Sequence, residues 1–134
     1  MKYRAFPALV IALIASLSTT AAPVSQQRLL SADSDTDNWL SYGRSYKEQR
    51  FSPLSEVNTD NVGELGLAWY FETDTHLGLE TTPLVIDGVM YFTGAWSTAY
   101  AVNAATGELI WSFDPKVPRE KSVTACCGVV NRGL

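Results

Sequence analysis

Hydrophobic and polar positions divide the chain into unlike stretches. Residues 6–17 form a mostly apolar run behind Lys2 and Arg4, and small residues follow through Ser18, Thr19, Thr20, Ala21 and Ala22. Residues 23–38 (PVSQQRLLSADSDTDN) are polar, with three Asp and three Ser, and predict an extended N-terminal arm. Residues 39–51 mix Trp39, Leu40, Tyr42, Tyr46 and Phe51 with Arg44, Lys47, Glu48 and Arg50. That mixture predicts an irregular or partly helical segment that packs on something else. Thr59 ahead of Asp60, Asn61 and Val62 predicts a cap on a short helical turn, with Asp60 and Glu64 in it. Gly63 and Gly66 keep that turn short.

From Gly66 onward the pattern is that of strands. Leu67-Ala68-Trp69-Tyr70-Phe71 is a run of β-favouring residues. Leu84-Val85-Ile86 and Val89-Met90-Tyr91-Phe92 flank Asp87-Gly88, the dipeptide of a type I′ hairpin. Ala99–Val102 and Leu109–Phe113 flank a turn from Asn103 to Glu108 that contains Thr106-Gly107. Four short strands therefore succeed one another, joined by tight turns.

The form L-x-W-x-F occurs at Leu67–Phe71 and again at Leu109–Phe113, with Trp111 42 residues after Trp69. A period of roughly 40 to 45 residues with four strands per unit is that of propeller blades. The expected fold is all-β: one complete blade, one orphan strand at Leu67–Phe71, and the start of a further unit after Asp114. In a closed propeller such an orphan strand completes the last blade and removes a free sheet edge. The sequence thus reads as the N-terminal portion of a propeller whose other strands come from a longer chain.

Composition and charge narrow the function. Hydrophobic residues make up 46% of the 134 positions, enough to build a core. A formal charge of −4 leaves no basic footprint for nucleic acid, and no Lys/Arg cluster exists to hold an anionic membrane surface. Residues 1–22 have the order of a secretory signal peptide, with cleavage expected near Ala21 or Ala22. A buried helix or membrane anchor is the other reading. The apolar run is too short to span a bilayer and contains Pro7. The mature chain is therefore expected to carry no transmembrane segment. Export changes how Cys126 and Cys127 read, because thiols in an oxidising compartment are expected to be joined. Two buried thiols, or pairing with cysteines elsewhere in a longer protein, remain alternatives.

Other chemistry is thinly represented. His76 is the sole histidine, and one His without a cluster is a poor metal signal. It lines the loop ahead of Glu80 or faces solvent. Trp96 either shapes the rim of a site or packs within the blade. No Cys-x-x-Cys-His stands in the chain for haem attachment. No G-x-G-x-x-G lies between a strand and a helix, which disfavours nicotinamide binding.

Three stretches carry a family resemblance. The first runs from Trp39-Leu40-Ser41-Tyr42-Gly43-Arg44 through Gln49–Leu54 to Asn61-Val62 and Leu65–Trp69. The second, Ala101–Trp111, is similar to a tryptophan-docking motif, A-x-D-x-x-T-G-x-x-x-W, with Asn103 in place of the usual Asp. Asn also accepts hydrogen bonds from a turn backbone, so the departure is small. The third is Cys126-Cys127-Gly128-Val129-Val130-Asn131-Arg132-Gly133. Together they resemble the quinoprotein alcohol dehydrogenases, which depend on pyrroloquinoline quinone (PQQ).

The resemblance implies that residues 39–134 are part of an eight-bladed propeller, behind a signal peptide (1–22) and an arm (23–38). It implies a periplasmic enzyme that oxidises primary alcohols to aldehydes with PQQ and Ca²⁺ and passes electrons to cytochrome c or a similar acceptor. Haem c would belong to a C-terminal domain outside this chain. The catalytic base and the Ca²⁺ ligands would lie beyond residue 134, so no catalytic or metal-ligating residue is assigned here, and the chain alone is expected to be inactive. A PQQ dehydrogenase for sugars or polyols is the nearer alternative, although the membrane-bound glucose type has transmembrane helices ahead of its propeller. A non-enzymatic propeller scaffold would carry a lipobox cysteine after the signal, and none occurs near Ala22.

Four residues inherit a cofactor-binding role from the resemblance. Cys126 and Cys127 match the family's disulfide between neighbours, which caps PQQ. Adjacent Cα atoms sit about 3.8 Å apart, whereas ordinary disulfides prefer roughly 4.4 to 6.8 Å. Such a bond closes a tight, rigid ring suited to lying against a planar cofactor. Arg132 stands five residues after Cys127, where the family's cofactor-contacting arginine lies; a guanidinium is a planar fork for carboxylates. Glu80, ahead of Thr81-Thr82-Pro83, matches a family glutamate that hydrogen-bonds the cofactor. Without the resemblance, Arg132 reads as a surface residue and Glu80 as a solvated loop glutamate.

Overall fold

The computed structural model describes residues 23–124 and 128–134. It consists of one short helix, α1 (Gln26–Leu30), and four strands: β1 (Leu84–Ile86), β2 (Val89–Thr93), β3 (Ala99–Asn103) and β4 (Leu109–Phe113). Single 3₁₀ turns lie at Ala32–Ser34, Val62–Glu64, Ala95–Ser97 and Arg119–Val123. The strands form one antiparallel meander in the order β1-β2-β3-β4. Strand for strand, this is the blade read from the sequence.

Turn chemistry explains the meander. Asp87 and Gly88 both take positive φ (+50° and +79°), so the β1–β2 turn is the type I′ that matches strand twist. At the β3–β4 turn the side-chain oxygen of Asn103 accepts from the amides of Ala105 (2.9 Å) and Thr106 (3.1 Å). The Gly107 amide donates to the Asn103 carbonyl at 2.8 Å, with Gly107 at φ +75°. Asn103 thus does the turn-building work expected of the Asp it replaces. Along β3–β4 the register shifts: Ala101 faces Trp111 and Val102 faces Leu109. Ile110 is therefore the extra residue of a β-bulge, which bends the outermost strand.

The core results from the alternation. Met90 and Phe92 on β2 point to the same face as Tyr100 and Val102 on β3, and Phe71 and Trp69 pack over them. Phe71 meets Phe92 and Tyr100 edge-on at 5.8 and 5.6 Å, and Phe92 stacks on Tyr100 at 5.2 Å. Each such aromatic pair contributes about 0.5–1.5 kcal/mol beyond simple burial. Ala101 and Val102 on the central strand are fully buried, while all of β4 is exposed. Burial pushes the Tyr100 phenol above its usual range, with the Asp74 carboxylate adding to the shift.

As expected of an orphan strand, residues 67–71 carry no ladder among the described residues, and side chains hold the segment to the blade. Two expectations need correction. The arm is not extended: Ser25 caps α1 through its side-chain oxygen and the Arg28 amide. Arg28 then grips both carboxylate oxygens of Asp87, and the Asn38 side chain accepts from the Asp87 amide at 2.7 Å. A polar stretch that reads as an arm in isolation becomes helical because its charges have partners at the hairpin turn. Thr59 does not cap the next turn either. The turn starts at Asn61, and Asn58 organises it by accepting from Asp60 and Val62.

The free edge of β1 is covered by Trp39, whose amide and carbonyl both pair with Val85 (2.8 and 3.1 Å). The segment from Trp39 to Phe51 is irregular, as expected. Leu40, Arg44 and Ser45 are buried in it, but Tyr42, Tyr46 and Phe51 are exposed. Among the described residues no helix is long and apolar enough to cross a membrane. The expected signal peptide at residues 1–22 and the Cys126–Cys127 pair lie outside the described residues.

Candidate functional site

An antiparallel blade sends alternate turns to opposite ends. One end gathers the approach to β1 (residues 80–83), the end of β2 with the adjoining 3₁₀ turn (93–97), and the tail segment 128–134. The other end holds the Asp87-Gly88 and Asn103–Glu108 turns. Of the residues singled out for chemistry, Glu80 and Arg132 fall at the first end.

Four backbone-anchored hydrogen bonds assemble it. Thr82 donates its amide to the Arg132 carbonyl at 3.3 Å. The Thr93 hydroxyl donates to the Asn131 carbonyl at 2.9 Å. The Thr93 amide donates to the Thr81 hydroxyl at 3.2 Å, and the Trp96 amide donates to the Val129 carbonyl at 2.7 Å. The tail is thereby fixed against both the β1 approach and the β2–β3 turn. Trp96 and Ser97 sit in the left-handed region (φ +60° and +57°), a conformation that non-glycine residues adopt only under constraint. The Arg119 guanidinium lies 4.0 Å over the Trp96 ring, so the turn is also held from the segment before the cysteines.

Glu80 and Arg132, 52 positions apart in sequence, meet here: the Arg132 Nε lies 3.4 Å from a Glu80 carboxylate oxygen. Both side chains remain open, at 75% exposure for Arg132 and 46% for Glu80. An exposed pair at that distance contributes little to stability, about 0–1 kcal/mol. Among the described residues the Arg132 guanidinium makes no other hydrogen bond, which leaves its two terminal nitrogens open to an anionic ligand. Glu80 supplies an acceptor beside them. The pair is thus a donor fork and an acceptor on a braced surface.

Of the sequence candidates, the structure brings Glu80 and Arg132 together. Cys126 and Cys127 lie outside the described residues, five or more positions ahead of Arg132. Trp96 is half-buried in the blade, and its amide bonds to the tail at the same end. His76 is exposed on the loop ahead of Glu80, and among the described residues no group of three His, Cys, Asp or Glu side chains could hold a metal ion. Thr81, Thr82 and Thr93 carry no signal in the sequence. Their partners stand 12 to 50 residues away, and a threonine gives no local sign of such a hydrogen bond.

The tryptophan motif is resolved as geometry too. The Trp69 indole N–H donates to the Ala104 carbonyl at 3.1 Å, and its ring lies so close to Gly107 that a Cβ there would fall 2.5 Å from it. Trp69 therefore docks on the β3–β4 turn of the next blade, while Trp111 is 43% exposed and among the described residues meets only the Tyr91 ring, at 6.1 Å.

Comparison with known proteins agrees with this architecture. The family model described as PQQ: glucose/ethanol/alcohol dehydrogenase, β-propeller domain, matches residues 39–134. The dehydrogenase subunit of the alcohol dehydrogenase (quinone) of Komagataeibacter europaeus is 55% identical over 107 residues, covering 80% of this chain and 14% of that protein. The 1-butanol dehydrogenase (cytochrome c) of Thauera butanivorans is 46% identical over 96 residues, covering 72% of this chain and 14% of that protein. The solved structure of the quinohemoprotein alcohol dehydrogenase ADHIIG from Pseudomonas putida HK5 superposes with a TM-score of 0.80 at 49% identity. It covers 84% of this chain and 16% of that one. The chain spans about a seventh of the length of the curated relatives it matches.

Proposed function

This chain belongs to the β-propeller domain family of PQQ-dependent glucose, ethanol and alcohol dehydrogenases, and on that premise we propose that it forms one wall of the cofactor site in a periplasmic alcohol dehydrogenase. The observation that carries the reading is the Glu80–Arg132 pair, an exposed fork and acceptor fixed at the end of the first blade. The names of the relatives support alcohols as the substrate class. Primary alcohols, oxidised to aldehydes, are the substrates we assign, with cytochrome c or a similar protein as electron acceptor. The whole protein would be an eight-bladed propeller, exported by residues 1–22.

The residues present fit PQQ. That cofactor is planar and carries three carboxylates, and Arg132 has its guanidinium plane and terminal nitrogens open to such a group. Arg132 would hold a carboxylate, Glu80 would accept from the ring system, and Cys126 with Cys127, joined as neighbours, would cap one face. When bound, the cofactor supplies the two-electron acceptor for the alcohol carbon. The chain's own contribution is to bind and orient it. No catalytic base is assigned to these residues, and Ca²⁺ ligands and any haem c belong to the remainder of the protein. The 134-residue chain by itself is expected to show no turnover.

Substitution in the full-length protein tests the reading. Arg132→Ala removes charge-assisted hydrogen bonds worth about 1.5–3 kcal/mol, and the expected result is PQQ affinity weakened roughly 10- to 100-fold. Glu80→Gln keeps the shape and is expected to weaken binding less. Replacing both Cys126 and Cys127 by Ser is expected to impair activity while the propeller stays folded. Wild-type PQQ affinity in Arg132→Ala and Glu80→Gln alike, measured by equilibrium titration of the apo-protein, would remove the basis for the proposal.

A further inference from the structure

The Glu80–Arg132 pair depends on two chain segments that share no strand ladder with each other. Glu80 is on the approach to β1, and Arg132 is on the tail after the cysteines. One buried residue, through its amide and its hydroxyl, touches the neighbours of both. Thr93, the last residue of β2, is 1% exposed, one of the two largest side chains that are completely enclosed. Its amide donates to the hydroxyl of Thr81, the residue after Glu80. Its hydroxyl donates to the carbonyl of Asn131, the residue before Arg132.

We infer that Thr93 is a positioning residue that sets the spacing of Glu80 and Arg132, and through them the affinity for a planar polycarboxylate cofactor. The inference rests on the proposed function for the identity of that cofactor, but its geometry stands independently. A buried hydroxyl with one acceptor has a single favourable arrangement, because an unsatisfied carbonyl in a closed site is costly. The Asn131 carbonyl is therefore fixed in position, and with it the base of the Arg132 side chain. On the other side the Thr81 hydroxyl is held one residue from the base of Glu80. Thr82 adds a third link, from its amide to the Arg132 carbonyl, but that bond joins two segments that are both irregular. Thr93 ties both segments to the sheet: it is in ladder register with Ala99 on β3 and adjoins the core residue Phe92. Placement within a fraction of an ångström matters for a binding constellation, and side chains behind the contacting residues commonly supply it.

A valine at this position keeps the shape and deletes the hydroxyl, whereas a serine keeps the hydroxyl and deletes a methyl. The test uses the full-length apo-protein and titrates it with PQQ, with Thr93→Val, Thr93→Ser and Arg132→Ala in parallel. Thermal midpoints and amide hydrogen exchange at residues 129–133 are recorded without cofactor. The expected result is affinity about tenfold weaker in Thr93→Val, faster exchange confined to the tail, and recovery to within about twofold of wild type in Thr93→Ser. A merely structural role would lower the thermal midpoint in Thr93→Val and leave the affinity of the folded protein unchanged, and that outcome overturns the inference. If Thr93→Val does not fold, Thr81→Val carries the test: its half-buried hydroxyl is the acceptor for the Thr93 amide, and an affinity equal to wild type there also overturns it. Weakened binding in Arg132→Ala alone contradicts the role of Thr93 and spares the cofactor site. Wild-type affinity in Arg132→Ala contradicts the cofactor site itself.

Discussion

Trp69 and Trp111 occupy the same place in a repeated five-residue pattern and have opposite surroundings. Trp69 gives its indole N–H to Ala104, lies flat against Gly107, and belongs to the aromatic cluster of Phe71, Phe92 and Tyr100. Trp111 stands on the outermost strand with every neighbour on β4 exposed. The two differ in the chain downstream of each. Trp69 is succeeded by a complete blade whose β3–β4 turn receives the ring; downstream of Trp111 the described residues supply no such blade. The docking is between blades, so a tryptophan of this motif is structural only when its successor exists.

The comparison can be broken from both sides. Trp69→Ala removes the docked ring and its hydrogen bond, and the expected cost is about 3 kcal/mol, at the low end for Trp→Ala because the ring is only half-buried. Trp111→Ala in the same chain is expected to cost less than about 0.5 kcal/mol. Urea unfolding of the two variants beside the parent chain measures both. In the full-length protein the Trp111 value is expected to rise toward that of Trp69, because the next blade would then receive it.

Gly107→Ala is next in size, at about 2 kcal/mol. Its φ of +75° already disfavours a side chain, and the new Cβ would displace the Trp69 ring. A double-mutant cycle sharpens this: in the Trp69→Ala background the steric part disappears and only the backbone cost should remain. Equal costs in both backgrounds would mean that the ring does not rest on the glycine.

The smallest effect is a pH dependence on the docked side. Burial beside Phe71 raises the Tyr100 pKa, with the Asp74 carboxylate adding to it. Folding therefore favours the neutral phenol. Its contribution is complete below the unfolded tyrosine pKa of about 10 and is lost as pH rises through the higher folded value. Melting temperatures tracked upward from pH 9 should fall, and Tyr100→Phe should flatten that limb relative to the parent.

The same contrast explains how much of the molecule is legible in its sequence. The blade is legible because its determinants are local: Asp87-Gly88 demands a type I′ turn, Asn103 and Gly107 shape the second turn, and alternation assigns Phe92, Tyr100 and Val102 to the core. Glu80 and Arg132 are legible through the family resemblance, since nothing in their immediate neighbours separates them from surface residues. The arm from Pro23 reads wrongly as extended because its helix depends on Arg28 reaching Asp87, 59 residues away. Thr93 is invisible for a similar reason, with its acceptor 38 residues downstream. Strand length and turn type are written in short windows; the bonds that brace the site are not.

The proposal that Glu80 and Arg132 form one wall of the cofactor site is tested most directly by a structure of the full-length protein with PQQ bound. The expected map places a cofactor carboxylate within hydrogen-bond distance, about 2.7–3.2 Å, of the Arg132 guanidinium, with Glu80 beside the ring and the Thr93–Asn131 bond intact. A cofactor bound with Arg132 turned to solvent and Glu80 out of reach would contradict it.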